Sequence, residues 1–175
     1  MKRILVTEGR FDAIVLRTLL AAANRDEIEI FHGSGKSAAI SLGNSFALNK
    51  SAKVAIVVDA DTSVPERLAE QQLIFRDLQQ QSYGEYGARL FLAVPTLEAA
   101  LFPTAEDFES TFNLEFTPKQ REVYAQDWKM SVRAFLTVPQ ANTTPTIRTK
   151  GVRPEMLRKI LRKTPLSELL KFLGS

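Results

Sequence analysis

Residues 53–61 read KVAIVVDAD. Five consecutive apolar residues, four of them β-branched, lead straight into two aspartates one residue apart. A strand that is apolar on both faces must be covered on both, the mark of a parallel sheet held between helix layers. The rest of the front half repeats that logic. RILVTEG (3–9) and IEIFHG (28–33) are short β-branched runs that end at glycine, and ARLFLAV (88–94) is a fourth run stopped by Pro95. Between them, FDAIVLRTLLAAA (11–23) and KSAAISLGNSFAL (36–48) carry helical apolar spacing. Pro65 suits the first turn of a further helix over about 65–81. Four such β-α units predict an α/β fold: a mostly parallel four-stranded sheet with helices on both faces.

After Pro103 the pattern changes. EDFESTF, PKQREVYAQDW and SVRAFLTV predict helices, PQANTTPT (139–146) a loop, and RPEMLRKILRK and PLSELLKFL two more helices. The expected organisation is an α/β domain over 1–103 and an α-helical C-terminal extension over 104–175 packed on it. There is no internal repeat and no low-complexity tract.

Composition removes several kinds of chemistry. Cysteine is absent, so there is no disulfide, thiolate zinc site or cysteine nucleophile, and the single histidine, His32, excludes His-rich metal sites. No apolar run approaches the roughly 18 residues of a membrane span. The N-terminus MKRILVTEGR turns acidic too soon for a secretory signal, so a cytoplasmic location and no membrane partner are expected. Charge is unevenly placed. Residues 146–175 carry eight Lys or Arg against two Glu, while residues 1–145 are net −3. A basic end beside an acidic body suits a protein that handles phosphodiesters, and equally a solvated basic helix.

FHGSGKSAAI (31–40) contains the Gly-Lys-Ser that closes a phosphate-cradling P-loop. That loop needs a glycine five residues before its last Gly-Lys, and Ile30 stands there. The acidic residues are more informative. Ligands of an open parallel sheet collect at the carboxyl ends of its strands. Glu8 ends the first strand, Asp59 and Asp61 the third, Glu98 lies just past the fourth, and Asp12 follows Glu8 by one helical turn. Taken singly, Glu8 reads as a turn residue and Asp12 as a helix-start residue. Together they crowd like charges at one edge, which hard divalent cations neutralise best.

VTEGRFDA (6–13) and VVDAD (57–61), with HGSGK (32–36) as the glycine-rich turn after the second strand, resemble the TOPRIM fold shared by topoisomerases, bacterial primases and several nucleases. The resemblance spans about residues 2–102. VPTLEAALFP (94–103) is similar to the segment of OLD-type (overcoming lysogenization defect) TOPRIM nucleases that carries Ser-x-Glu, here Thr96-Leu97-Glu98. Lys150 stands at a distance comparable to that of a lysine those nucleases use. A topoisomerase would need a nucleophile such as Tyr83, Tyr86 or Tyr124 on a strand-passage body, and a primase a template-handling domain.

The resemblance implies a metal-dependent endonuclease acting on DNA rather than RNA, in phage defence or repair. It implies two Mg²⁺ or Mn²⁺ ions roughly 4 Å apart, one on Asp59, Asp61 and Glu98, the other on Glu8, Asp12 and Asp59. Lys150 would offset charge on the phosphate, and Thr96 would orient a ligand or cap a helix. Lys36, Arg148, Arg153, Arg158 and Arg162 would contact backbone phosphates. OLD nucleases carry an ABC-type ATPase, which is expected here as a separate partner unless the nuclease acts alone. The α-rich end could form a homodimer. A partner-activated TOPRIM subunit and a ribosomal-RNA-processing TOPRIM nuclease are the alternatives.

Overall fold

Every residue of β3 (Ala52–Asp59) except Lys53 is buried, as a central strand between two layers requires. It pairs in parallel with β1 (Lys2–Thr7) on one side and with β4 (Ala88–Ala93) on the other, and β1 pairs in parallel with β2 (Ile28–His32). The order is β2-β1-β3-β4. In this computed structural model, residues 1–48, 52–82, 88–136, 144–148 and 150–174 are described, with side chains 78–82 left aside. Tyr83, Tyr86 and most of the expected 139–146 loop lie outside them.

The register decides where the chemistry can sit. Thr7 is level with His32 and with Val57, and Asp59 is level with Ala93. All four strands therefore stop along one edge, and the residue following each strand joins it.

One sheet face carries Ile4, Val6, Val54, Ile56 and Val58 against α2 (Lys36–Ala47). The other carries Leu5, Ala55, Val57, Phe91 and Ala93 against α1 (Arg10–Ala22). The alternation along each strand is the period-two exposure of the pleat. Helix α3 (Pro65–Ser82) lies beside β4, and none of its side chains from Pro65 to Asp77 is fully buried.

The extension continues the second core rather than building its own. After α4 (Leu97–Leu101), which closes the first 103 residues, it comprises α5 (Ala105–Phe112), α6 (Pro118–Tyr124), α7 (Trp128–Arg133), α8 (Pro154–Leu161) and α9 (Leu166–Gly174). Phe108 is its hub: the rings of Phe102, Phe112, Phe116, Tyr124 and Trp128 stand 4.6–6.4 Å from it, centre to centre. These residues belong to the same buried cluster as α1 and the sheet. Glu109, also buried, ties α5 to α6 through both Arg121 bonds (2.9 Å each) and the Phe116 N–H (2.6 Å).

Two helix expectations change. The single helix expected over 118–128 is two, because Asp127 caps a new one by accepting the Met130 N–H at 3.1 Å. The helix expected over 131–138 ends at Arg133, since Leu136 leaves it to bridge Ile147 in an antiparallel pair. Among the described residues, no helix is long and apolar enough to cross a membrane.

Close approach of α2 to the sheet depends on one position. A Cβ added at Gly43 would overlap Cδ1 and Cγ1 of Ile56. Gly43→Ala should lower stability by about 1–3 kcal/mol in urea unfolding, as overpacking does. Ile56→Val, which removes Cδ1, should recover part of that loss in the double variant. An equal cost of Gly43→Ala with and without Ile56→Val would refute the contact.

Candidate functional site

Four carboxylates from four chain segments meet at the carboxyl edge. Glu8 follows β1, and its Oε2 accepts the Asp59 backbone N–H at 3.3 Å. Asp59 ends β3, and its Oδ1 accepts the Leu97 N–H at 2.8 Å, which locks the start of α4 to the strand. Asp12 lies on the first turn of α1, and its Oδ2 accepts the Gly9 N–H at 3.0 Å. Glu98 lies on the first turn of α4. A Cβ at Gly9 would stand 2.8 Å from Asp12 Oδ2, so that carboxylate would have to shift to admit a side chain.

The carboxylates act on one another. Burial raises Asp59 to about 7; the Leu97 bond opposes the rise, and Asp12, Glu98 and Glu8 add to it. Burial likewise raises Asp12 to about 6; Lys129 and the Gly9 bond pull down, and Glu98 and Glu8 push up. Tyr124 is raised by burial and by Glu98 and Asp107, so it stays a phenol whose hydroxyl donates to the Phe102 carbonyl at 3.4 Å. Two buried oxygens, Asp12 Oδ1 and Glu98 Oε2, accept no hydrogen bond from the described residues. Leaving such acceptors unpaired is costly.

The other expected site residues are distributed differently. Asp61 leaves the group. It adopts a left-handed backbone (φ 56°), its side chain is 64% exposed, and its Oδ2 accepts Lys36 Nζ at 2.8 Å. Thr96 caps α4 by accepting the Ala99 N–H at 3.4 Å. Lys150 lines a recess of about 220 Å³ with Arg121, Arg153, Glu109 and Glu115, and none of the four carboxylates lines it. Arg153 donates to Asn113 Oδ1 at 3.2 Å, and Arg148, Arg158 and Arg162 are exposed. His32 is exposed, its Nδ1 3.0 Å from the Gly33 carbonyl.

Lys129 stands beside Asp12, and sequence reasoning missed it. It sits on the first turn of α7, placed by the Asp127 cap and by the buried Trp128, whose ring it also faces at 5.9 Å. The Asp127 cap was not read from the sequence, which gave one helix over 118–128. Nor was what α7 packs against.

No protein-family model and no curated protein matches the sequence. Among solved structures, the C-terminal region of the Burkholderia pseudomallei OLD protein is similar. It aligns over 99% of this chain and 86% of its own, at 17% identity and a TM-score of 0.41.

Among the described residues, no three His, Cys, Asp or Glu side chains form a ready-made metal cage. The chemistry of the group nevertheless suits a hard divalent cation. It offers only oxygen donors, two of them buried and unpaired, and their mutual repulsion is what a bound cation would relieve.

A raised carboxylate sets the sign of a pH effect. Because Asp59 is raised in the folded chain, it imposes no penalty below its unfolded pKa, and the penalty grows as pH rises toward 7. In chelator, Asp59→Asn should therefore melt higher than the parent at pH 8 by about 3 °C or more. The gap should close as pH falls from 7 toward 4. A constant gap, measured by calorimetry, would contradict the assignment.

Proposed function

We propose that the chain is a nuclease domain that hydrolyses phosphodiesters, DNA foremost, at the carboxyl edge of its sheet with divalent cations. One observation carries this reading: Glu8, Asp12, Asp59 and Glu98 converge on one edge, repel one another, and leave buried oxygens unpaired. A purely structural site would not gather four acids with so few donors. The resemblance of VTEGRFDA and VVDAD to TOPRIM nucleases supports the same chemistry.

Glu8, Asp12 and Asp59 would hold one Mg²⁺ or Mn²⁺, and Asp59 with Glu98 a second. Bound there, the cations would supply Lewis-acid stabilisation of the phosphate and a more acidic water. The chain's own residues do the rest. Asp59, held by the Leu97 N–H, keeps Glu98 and Glu8 in register across β1, β3 and α4. Lys129, rather than Lys150, supplies the positive charge that offsets the phosphate. Lys150 and Arg153, on the separate recess, together with Arg148, Arg158 and Arg162, would bind phosphates farther along the strand.

Purified protein should nick or cut plasmid DNA with Mg²⁺ or Mn²⁺ and fall silent in chelator. Asp59→Asn and Glu98→Gln should abolish cleavage. Lys129→Met should slow it by about 10²-fold while the chain still melts cooperatively, at a somewhat lower temperature near neutral pH because Asp12 loses its opposing charge. Since the raised carboxyls must lose protons to bind a cation, Mn²⁺ affinity should rise between pH 5 and pH 8. Cleavage at the parental rate in both carboxylate variants would end this reading.

A further inference from the structure

The Lys36–Asp61 pair is drawn across the site. Lys36 is the first residue of α2, just past the turn that is fixed to the β1 end by Gly33 N–H to the Thr7 carbonyl (2.9 Å) and Gly35 N–H to the Glu8 carbonyl (3.2 Å). Asp61 follows β3, and its N–H is fixed to the Pro95 carbonyl at 2.8 Å, in the same loop that leads to Glu98. In the order β2-β1-β3-β4, β2 and β3 are two strand spacings apart, about 10 Å. The 2.8 Å ion pair thus joins segments that follow β2 and β3, the two strands that flank β1.

Asp61 thus has its backbone among the cation-site segments and its carboxylate outside them. Both partners of the pair are accessible, with side chains 30% and 64% exposed, so the bond is weak and exchangeable. The partner able to replace Asp61 on Lys36 is another oxyanion, and the substrate of the proposed reaction is a chain of them.

Building on that reading, we propose that the Lys36–Asp61 pair is a strap which a nucleic-acid phosphate opens: by taking Lys36, the phosphate frees Asp61 to join Asp59 and Glu98 on a divalent cation. Lys36 is thereby a positioning residue. Phosphate and cation each strengthen the binding of the other, since coupling between two sites is reciprocal.

Two double-variant cycles on the full chain test this without activity. In the first, Mn²⁺ alone is titrated by calorimetry. Lys36→Met should tighten Mn²⁺ by about two- to five-fold, the range an exposed ion pair allows. In an Asp61→Asn background it should change nothing. In the second, a fluorescein-labelled DNA duplex is titrated in chelator. Asp61→Asn should tighten DNA to a similar degree, and only while Lys36 is present. If Lys36→Met tightens Mn²⁺ equally with and without Asp61, the effect is general electrostatics and the strap is wrong, although a Mn²⁺ site lost in Asp59→Asn would leave the nuclease reading standing. If neither parent nor variants bind Mn²⁺, both readings fall together.

Discussion

Asp59 is a carboxylate taken out of water at the place where three chain segments must be joined. Its Oδ1 holds the Leu97 N–H, its own N–H holds Glu8, and its strand pairs with both β1 and β4. The cost of burying that group appears as its upward displacement toward neutral pH, and three neighbouring acids increase it. The rest of the arrangement follows from tolerating this charge: Lys129 stands beside Asp12 to oppose it, and α4 must begin where Asp59 can hold its first turn. Stability is spent here on holding acids together.

The helical extension gains its meaning from the same edge. Its aromatic cluster around Phe108 is continuous with the core beneath α1 and the sheet. That packing fixes Trp128, Trp128 fixes the first turn of α7, and the turn presents Lys129 beside Asp12. A cation supplied by one half of the chain offsets an acid supplied by the other. Core packing and site electrostatics are here one problem, because moving α7 would strip Asp12 of its main opposing charge.

Much of the fold was legible in the order of residues. β3 showed itself because a strand buried on both faces has no room for polar alternation, and KVAIVV has none after Lys53. Glu8, Asp12, Asp59 and Glu98 were legible as a group because parallel strands all end on one edge, so residues just past each strand become neighbours whatever their separation in the chain. Less was visible in the extension. Asp127 looked like one acid within a helix; as a cap it divides that helix in two. Leu136 carried helical periodicity, but pairing with Ile147 overrode it.

By itself, then, the sequence determined the parallel sheet, the helices on its two faces and the four acids at its carboxyl edge. These depend on local apolar pattern and on the direction of strands, and both are written residue by residue. Only the tertiary structure decided that Asp61 turns out to Lys36 and that Lys129, rather than Lys150, stands with the carboxylates. The first depends on a left-handed residue just past a strand, the second on how an aromatic cluster seats a short helix. Neither has a period or a spacing to read, because each is set by packing between segments far apart in the chain.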